Sequence, residues 1–181
     1  MLKSAEIRLS GSGGQGLILA GIILANAAVY EKRRVTQTQS YGPESRGGYS
    51  RADVIISDKE IFFPEATQFD ILMALTQEAC DKYIYDIKEK GTLIVDTTFV
   101  KNISVMSENT FEVPFTELVT EKLGSPITTN ICSLAFLVKA TGIVKEESLE
   151  KAIKDSVKAA FVDLNMKAMK LGFELAANYR K

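Results

Sequence analysis

The chain reads as an α/β protein: a Rossmann-like, mostly parallel sheet flanked by helices, with a helical C-terminal part. Two observations predict this. Short β-prone runs alternate with helical patterns through the first half of the sequence. A glycine run, Gly11-Ser12-Gly13-Gly14-Gln15-Gly16, stands between the first strand and an apolar helix. At 181 residues and 46% hydrophobic, the chain is the right size for one compact core. No repeat, low-complexity tract or linker divides it, so a single domain over 1–181 is expected.

Taken in order, Ala5 to Leu9 is the first strand, broken by the glycine run, and Leu17 to Tyr30 is a buried helix. Val35 to Gln39 and Arg51 to Ser57 are the next two strands, joined by a long glycine-rich loop. Asp58-Lys59 suits a tight turn into Glu60 to Phe63. The continuous apolar run from Asp70 to Leu75 suits a buried parallel strand. A helix is expected from about Gln77 to Lys88, with Gly91 separating it from a central strand, Thr92 to Asp96. Further helices are expected at Thr116 to Lys122, Thr129 to Ala140, Glu146 to Val157 and Lys167 to Asn178. In the third of these, Leu149, Ile153 and Val157 form one apolar stripe against a charged face.

Gly11-x-Gly13-x-x-Gly16 fits the dinucleotide-binding pattern in its required setting, after a strand and opening a helix. Glycines let the backbone approach a phosphate, and free N–H groups with the positive helix end stabilise the anion. The alternative is a tight strand-to-helix turn with close packing and no ligand. An NAD site also wants an acidic residue closing the second strand. That strand ends Thr38-Gln39-Ser40, and Glu31 precedes it, so the fingerprint is incomplete. A P-loop fails because Leu17 and Ile18 stand where Lys and Ser/Thr are needed.

The second loop, from Tyr41 to Arg51, follows the second strand, which places it beside the glycine run at the carboxyl edge of the sheet, where ligands bind. Arg46, ahead of Gly47 and Gly48, is suited to grip a phosphate or carboxylate through its planar fork of donors. Glu44 could instead hold Arg46 in a local ion pair, and ordinary solvated loop charges or a subunit interface explain both residues equally well. Asp96 at a strand end has two readings, ligand group or cap of the following turn. Asn130 has the same two, with capping or subunit contact favoured.

Composition narrows the chemistry. With 22 Lys and Arg against 23 Asp and Glu, a net charge of −1 gives no field to hold nucleic acid. Histidine is absent, which removes the commonest general base and metal ligand, so Ser-His-Asp or Cys-His catalysis is excluded and zinc is not expected. The two cysteines, Cys80 and Cys132, form no C-x-x-C pair and read as reduced core thiols. An iron–sulfur cluster normally takes four thiolates, more than this chain supplies. The start shows no signal-peptide pattern and the apolar stretch Leu17 to Val29 is shorter than the roughly 20 residues of a membrane span, so a cytoplasmic location is expected.

The glycine run together with Gln37-Thr38-Gln39-Ser40-Tyr41-Gly42-Pro43-Glu44-Ser45-Arg46-Gly47-Gly48 resembles the gamma subunit, or fused gamma domain, of 2-oxoacid:ferredoxin oxidoreductases. The resemblance runs over nearly the whole chain, including Val54 to Ser57, Ala74 to Ala79 and the helical C-terminal part, and the second loop is its more specific signal. It implies an assembly that oxidatively decarboxylates a 2-oxoacid to an acyl-coenzyme A and passes electrons through iron–sulfur clusters to ferredoxin. Thiamine diphosphate and the clusters would sit in partner alpha, beta or ferredoxin-like delta subunits. This chain would be catalytically silent alone and would help to bind coenzyme A through Gly11, Ser12, Gly13, Gly14, Gln15, Gly16, Tyr41, Ser45, Arg46, Gly47 and Gly48. The second loop looks most like the 2-oxoglutarate type, with the branched-chain and pyruvate types close behind. The rival readings are a free-standing NAD(P)-dependent reductase, with Tyr41 or Tyr49 as proton donor, and a purely structural assembly subunit.

Overall fold

The computed structural model describes residues 4–41, 48–105, 107 and 109–179. Six strands form one sheet: β1 (Ser4–Ser12), β2 (Arg34–Tyr41), β3 (Tyr49–Ser57), β4 (Phe69–Ala74), β5 (Ile87–Asp96) and β6 (Asn109–Val113). Their spatial order is β2-β3-β1-β4-β5-β6. β1 pairs in parallel with β4, β4 with β5, and β5 with β6. β3 runs antiparallel to both neighbours, so β2 and β3 form a hairpin wedged against β1, and only β3 runs against the rest. The sheet is thus mostly parallel, as expected, with one reversed strand that alternation alone did not reveal.

Among the described residues six α-helices accompany the sheet: α1 (Leu17–Tyr30), α2 (Gln77–Tyr83), α3 (Phe115–Leu123), α4 (Thr129–Thr141), α5 (Glu146–Ser156) and α6 (Val162–Ala177). Side chains alternate across a strand, which sorts the sheet into two apolar layers. Ile7, Leu9, Val54, Ile56, Ile71, Met73 and Ile94 join α1 and α3 to α6 in the main core. Leu72, Ala74, Leu93 and Val95 pack on the opposite face against Ala79, Cys80 and Tyr83 of α2. Leu149 and Ile153 are fully buried, so the stripe read on α5 is its packing face.

Several expectations are corrected. The glycine run does not break the first strand at Leu9, because Gly11 and Ser12 still pair with Ser50 and Tyr49 of β3. No strand forms at Glu60 to Phe63, where Phe62 and Phe63 are exposed. The helix expected to reach Lys88 stops at Tyr83, passes through a 3-10 turn, Ile84–Asp86, and becomes β5 at Ile87. The apolar positions Tyr83, Ile84 and Ile87 imitate helical spacing, but Ile87 is captured by Phe69 in the parallel ladder. Gly91 is therefore inside β5. A Cβ there would come within 3.0 Å of the Phe69 carbonyl, beside a register shift in the β4–β5 ladder. β6 was not foreseen, and α6 begins at Val162, one turn and more before Lys167.

Opposite the main core, Arg8 and Asp53 form a buried bidentate ion pair, with Nε to Oδ1 and Nη2 to Oδ2 both at 2.7 Å. The Arg8 guanidinium lies 4.1 Å from the Phe69 ring centre and 4.4 Å from that of Tyr83. Planar stacking and two charge-assisted bonds offset the desolvation of both ions. The pair locks β3 to β1 midway along both strands.

Candidate functional site

The parallel strands all end at one edge, and there the glycine loop joins β1 to α1. Its conformation is fixed from three sides. The Gln15 side chain folds back so that its Oε1 accepts the Ser12 N–H at 2.8 Å. A Cβ at Gly11 would overlap that same Oε1, so glycine is what leaves the amide its place. The Gly13 N–H donates to the Gly48 carbonyl at 2.8 Å, which makes the root of the second loop a neighbour of the first, as the sequence predicts. From α4, Asn130 Nδ2 donates to the Gly16 carbonyl at 3.0 Å.

Gly14 (φ 92°) and Gly16 (φ 72°) adopt the left-handed region that glycine alone enters without strain. At Gly16 a Cβ would also lie 2.5 Å from Asn130 Nδ2. Gly16 is the N-cap of α1 and no side chain caps that helix. Among the described residues the Ser12, Gly13 and Gln15 N–H groups are occupied, which leaves Gly14, Gly16 and the first turn of α1 as the remaining donors for an anion.

A cleft of about 490 Å³ opens beside the loop. Ser12, Gly14 and Gln15 form one wall, and Phe99, Thr116 and the connection from Ser125 to Thr129 supply the others. Among the described residues its polar lining is neutral: hydroxyls, an amide and backbone. The arrangement suits a phosphate ester whose anion sits at the loop and whose body extends into the cleft.

The other candidate residues fall as follows. Tyr41 ends β2, paired with Ser50, and Gly48 is half-buried at the foot of β3. Ser45, Arg46 and Gly47, with Glu44, lie outside the described residues. Asp96 is fully buried and takes the capping role. Oδ1 accepts the Thr98 N–H, and Oδ2 accepts the Thr116 N–H and hydroxyl at 3.1 and 2.6 Å, which ties the end of β5 to the start of α3. Asn130 is neither a cap nor a surface residue. It is buried in the first turn of α4 and reaches across to the glycine loop. Glu31 follows α1 and accepts the Lys145 N–H at 2.6 Å, away from the strand end an NAD site would use. Phe99, Thr116, Ser125, Ile127 and Thr129 are cleft residues that sequence reasoning missed, since nothing local marks them and only the fold assembles them.

The thiols do not form a cofactor site. Cys80 packs under α2 on one face of the sheet and Cys132 lies in the main core on the other. Burial pushes the Cys80 thiol up to about 11 and the Cys132 thiol up to about 12, so both are neutral at physiological pH. Among the described residues no cluster of three or more His, Cys, Asp or Glu could hold a metal ion. No helix among them is long and apolar enough to cross a membrane.

Residues 6–175 match the family model described as pyruvate ferredoxin/flavodoxin oxidoreductase. The chain is 47% identical over 174 residues to the 2-oxoglutarate synthase subunit KorC of Methanocaldococcus jannaschii, covering 94% of this chain and 93% of that one. It is 36% identical over 182 residues to the pyruvate/ketoisovalerate oxidoreductases common subunit gamma of Thermococcus litoralis, covering 96% and 98%. The crystal structure of the keto/oxoacid ferredoxin oxidoreductase gamma subunit from Geobacter sulfurreducens superposes with a TM-score of 0.90 at 46% identity, over 99% of this chain and 100% of that one.

Proposed function

This chain belongs to the pyruvate ferredoxin/flavodoxin oxidoreductase family, and from that premise we propose that it is the gamma subunit of a 2-oxoglutarate:ferredoxin oxidoreductase. In this reading it presents coenzyme A to a reaction whose thiamine diphosphate and iron–sulfur clusters belong to alpha, beta and ferredoxin-like subunits. The observation that carries the reading is the 47% identity, over 94% of the chain, to a 2-oxoglutarate synthase subunit.

The chain's own residues support a binding role and no chemical one. It has no histidine, its thiols are buried and neutral, and Asp96 is consumed in capping. What it offers is a preorganised backbone cradle. Gly14, Gly16 and the start of α1 would take the coenzyme A diphosphate, and Arg46, carried over from the sequence, would close on a phosphate from the second loop. The bound coenzyme supplies the thiol that accepts the acyl group, and the protein holds that thiol's carrier in place. A free-standing NAD(P) reductase is not favoured, because no acidic side chain closes β2, which ends Thr38-Gln39-Ser40-Tyr41.

The test is substitution of Arg46 by Ala in the reconstituted complex. Loss of a charge-assisted contact worth about 1.5–3 kcal/mol raises KM for coenzyme A roughly tenfold or more, with assembly intact. An unchanged KM with reduced assembly would make the second loop an interface and the chain a structural subunit.

A further inference from the structure

Within the cleft beside the glycine loop, one half-exposed side chain is aromatic. Phe99 is 46% exposed, yet its backbone is firmly held, with its N–H on the Asp96 carbonyl at 3.1 Å in the turn that the buried Asp96 carboxylate closes. An aromatic ring on a rigid support, half in water and lining a cleft of neutral polar groups, is a stacking platform in search of a flat partner. Ile127, 67% exposed, lines the same cleft from the 3-10 turn Pro126–Thr128, whose start is fixed by Ser125 Oγ accepting the Ile127 N–H. The cleft thus holds two apolar side chains on pinned backbones, and Thr116 and Thr129 line it with them.

We infer that Phe99 and Ile127 clamp the purine base of the ligand whose phosphates sit on the glycine loop, so that this chain selects a nucleotide-bearing thiol over a bare phosphorylated thiol. The inference rests on the coenzyme A reading above. Base stacking on an aromatic ring is indifferent to net charge, which suits a cleft whose described lining residues include neither Lys nor Arg. The neutral hydroxyls of Thr116 and Thr129 leave polar edges of the base with partners other than ions.

The test compares two thiols in the assembled oxidoreductase: coenzyme A, and pantetheine 4'-phosphate, which keeps the thiol arm and a phosphate but lacks adenosine. Phe99→Ala should raise KM for coenzyme A about tenfold, within the range for loss of one base stack. It should leave kcat and the KM for pantetheine 4'-phosphate unchanged, while Phe99→Tyr should behave as wild type. If Phe99→Ala alters neither KM, or both equally, or chiefly lowers the yield of complex as a partner-facing residue would, the base clamp is overturned. Arg46→Ala, measured alongside, separates the two readings. A raised KM there with no effect of Phe99→Ala rejects the clamp alone, whereas no effect of either substitution rejects coenzyme A binding at the loop as well.

Discussion

Asn130 Nδ2 donates to the carbonyl of Gly16 at 3.0 Å across 114 positions of sequence, joining the first turn of α4 to the N-cap of α1. That carbonyl also accepts the Ala20 N–H, the first hydrogen bond of α1. The bond therefore sets where the start of α1 points more than whether the helix forms. Asn130→Ala should cost about 1 kcal/mol of stability, because Gly16 keeps its helical partner. It should raise KM for coenzyme A by more than that loss explains. Urea unfolding and steady-state kinetics on the same variant separate the two effects.

Gly16 and Gly142 share a positive φ, 72° and 63°, and differ in surroundings, since a Cβ at Gly142 meets nothing within 4 Å. Gly142→Ala should cost only the left-handed penalty of about 1–2 kcal/mol. Gly16→Ala should exceed it, because Asn130 must also move. Equal shifts in the urea midpoint would show that Asn130 yields freely.

The Arg8–Asp53 pair was invisible in the sequence, where Arg8 sits on a strand and Asp53 on another with no motif to link them. The register of β1 against β3 puts them opposite each other, and Phe69 and Tyr83 cover them. Arg8→Ala leaves the buried carboxylate, among the described residues, with only Arg51, whose Nε is 4.0 Å away, and should cost up to about 3–5 kcal/mol, whereas Arg8→Met with Asp53→Leu should recover most of it. Chemical denaturation of the single and double variants measures this difference.

Both thiols are raised by burial, so folding favours their protonated forms. Their contribution is complete below the ordinary thiol value of about 8.5 and fades as pH rises towards about 11 and 12. Stability should fall progressively above about pH 9. Replacing both Cys80 and Cys132 by Ala should flatten that alkaline limb. At neutral pH neither thiol should react with iodoacetamide until the chain is unfolded.

The sequence made the local features legible and left the assembled ones dark. The helix from about Leu17 to Tyr30 is legible because the glycine run punctuates it on one side and Glu31 to Arg33 on the other. Ile87 was misread because its spacing from Tyr83 and Ile84 is as good for a helix as for a buried strand, and only the partner, Phe69, decides. The neighbourhood of the two loops was legible from sheet logic, and the bond from Gly13 to Gly48 bears it out. The Asn130 contact and the walls of the cleft were not, since Phe99, Thr116 and Ile127 meet the loop only after α3 and α4 have packed.

The most direct measurement is coenzyme A-dependent reduction of a low-potential acceptor by 2-oxoglutarate, using the complex co-expressed with this chain and the same complex prepared without it. The expected activity needs this chain, saturates with coenzyme A and favours 2-oxoglutarate over pyruvate and branched-chain 2-oxoacids, while the chain alone is inactive. A chain that purifies without partners, with no such activity restored by adding it, would contradict the gamma-subunit reading.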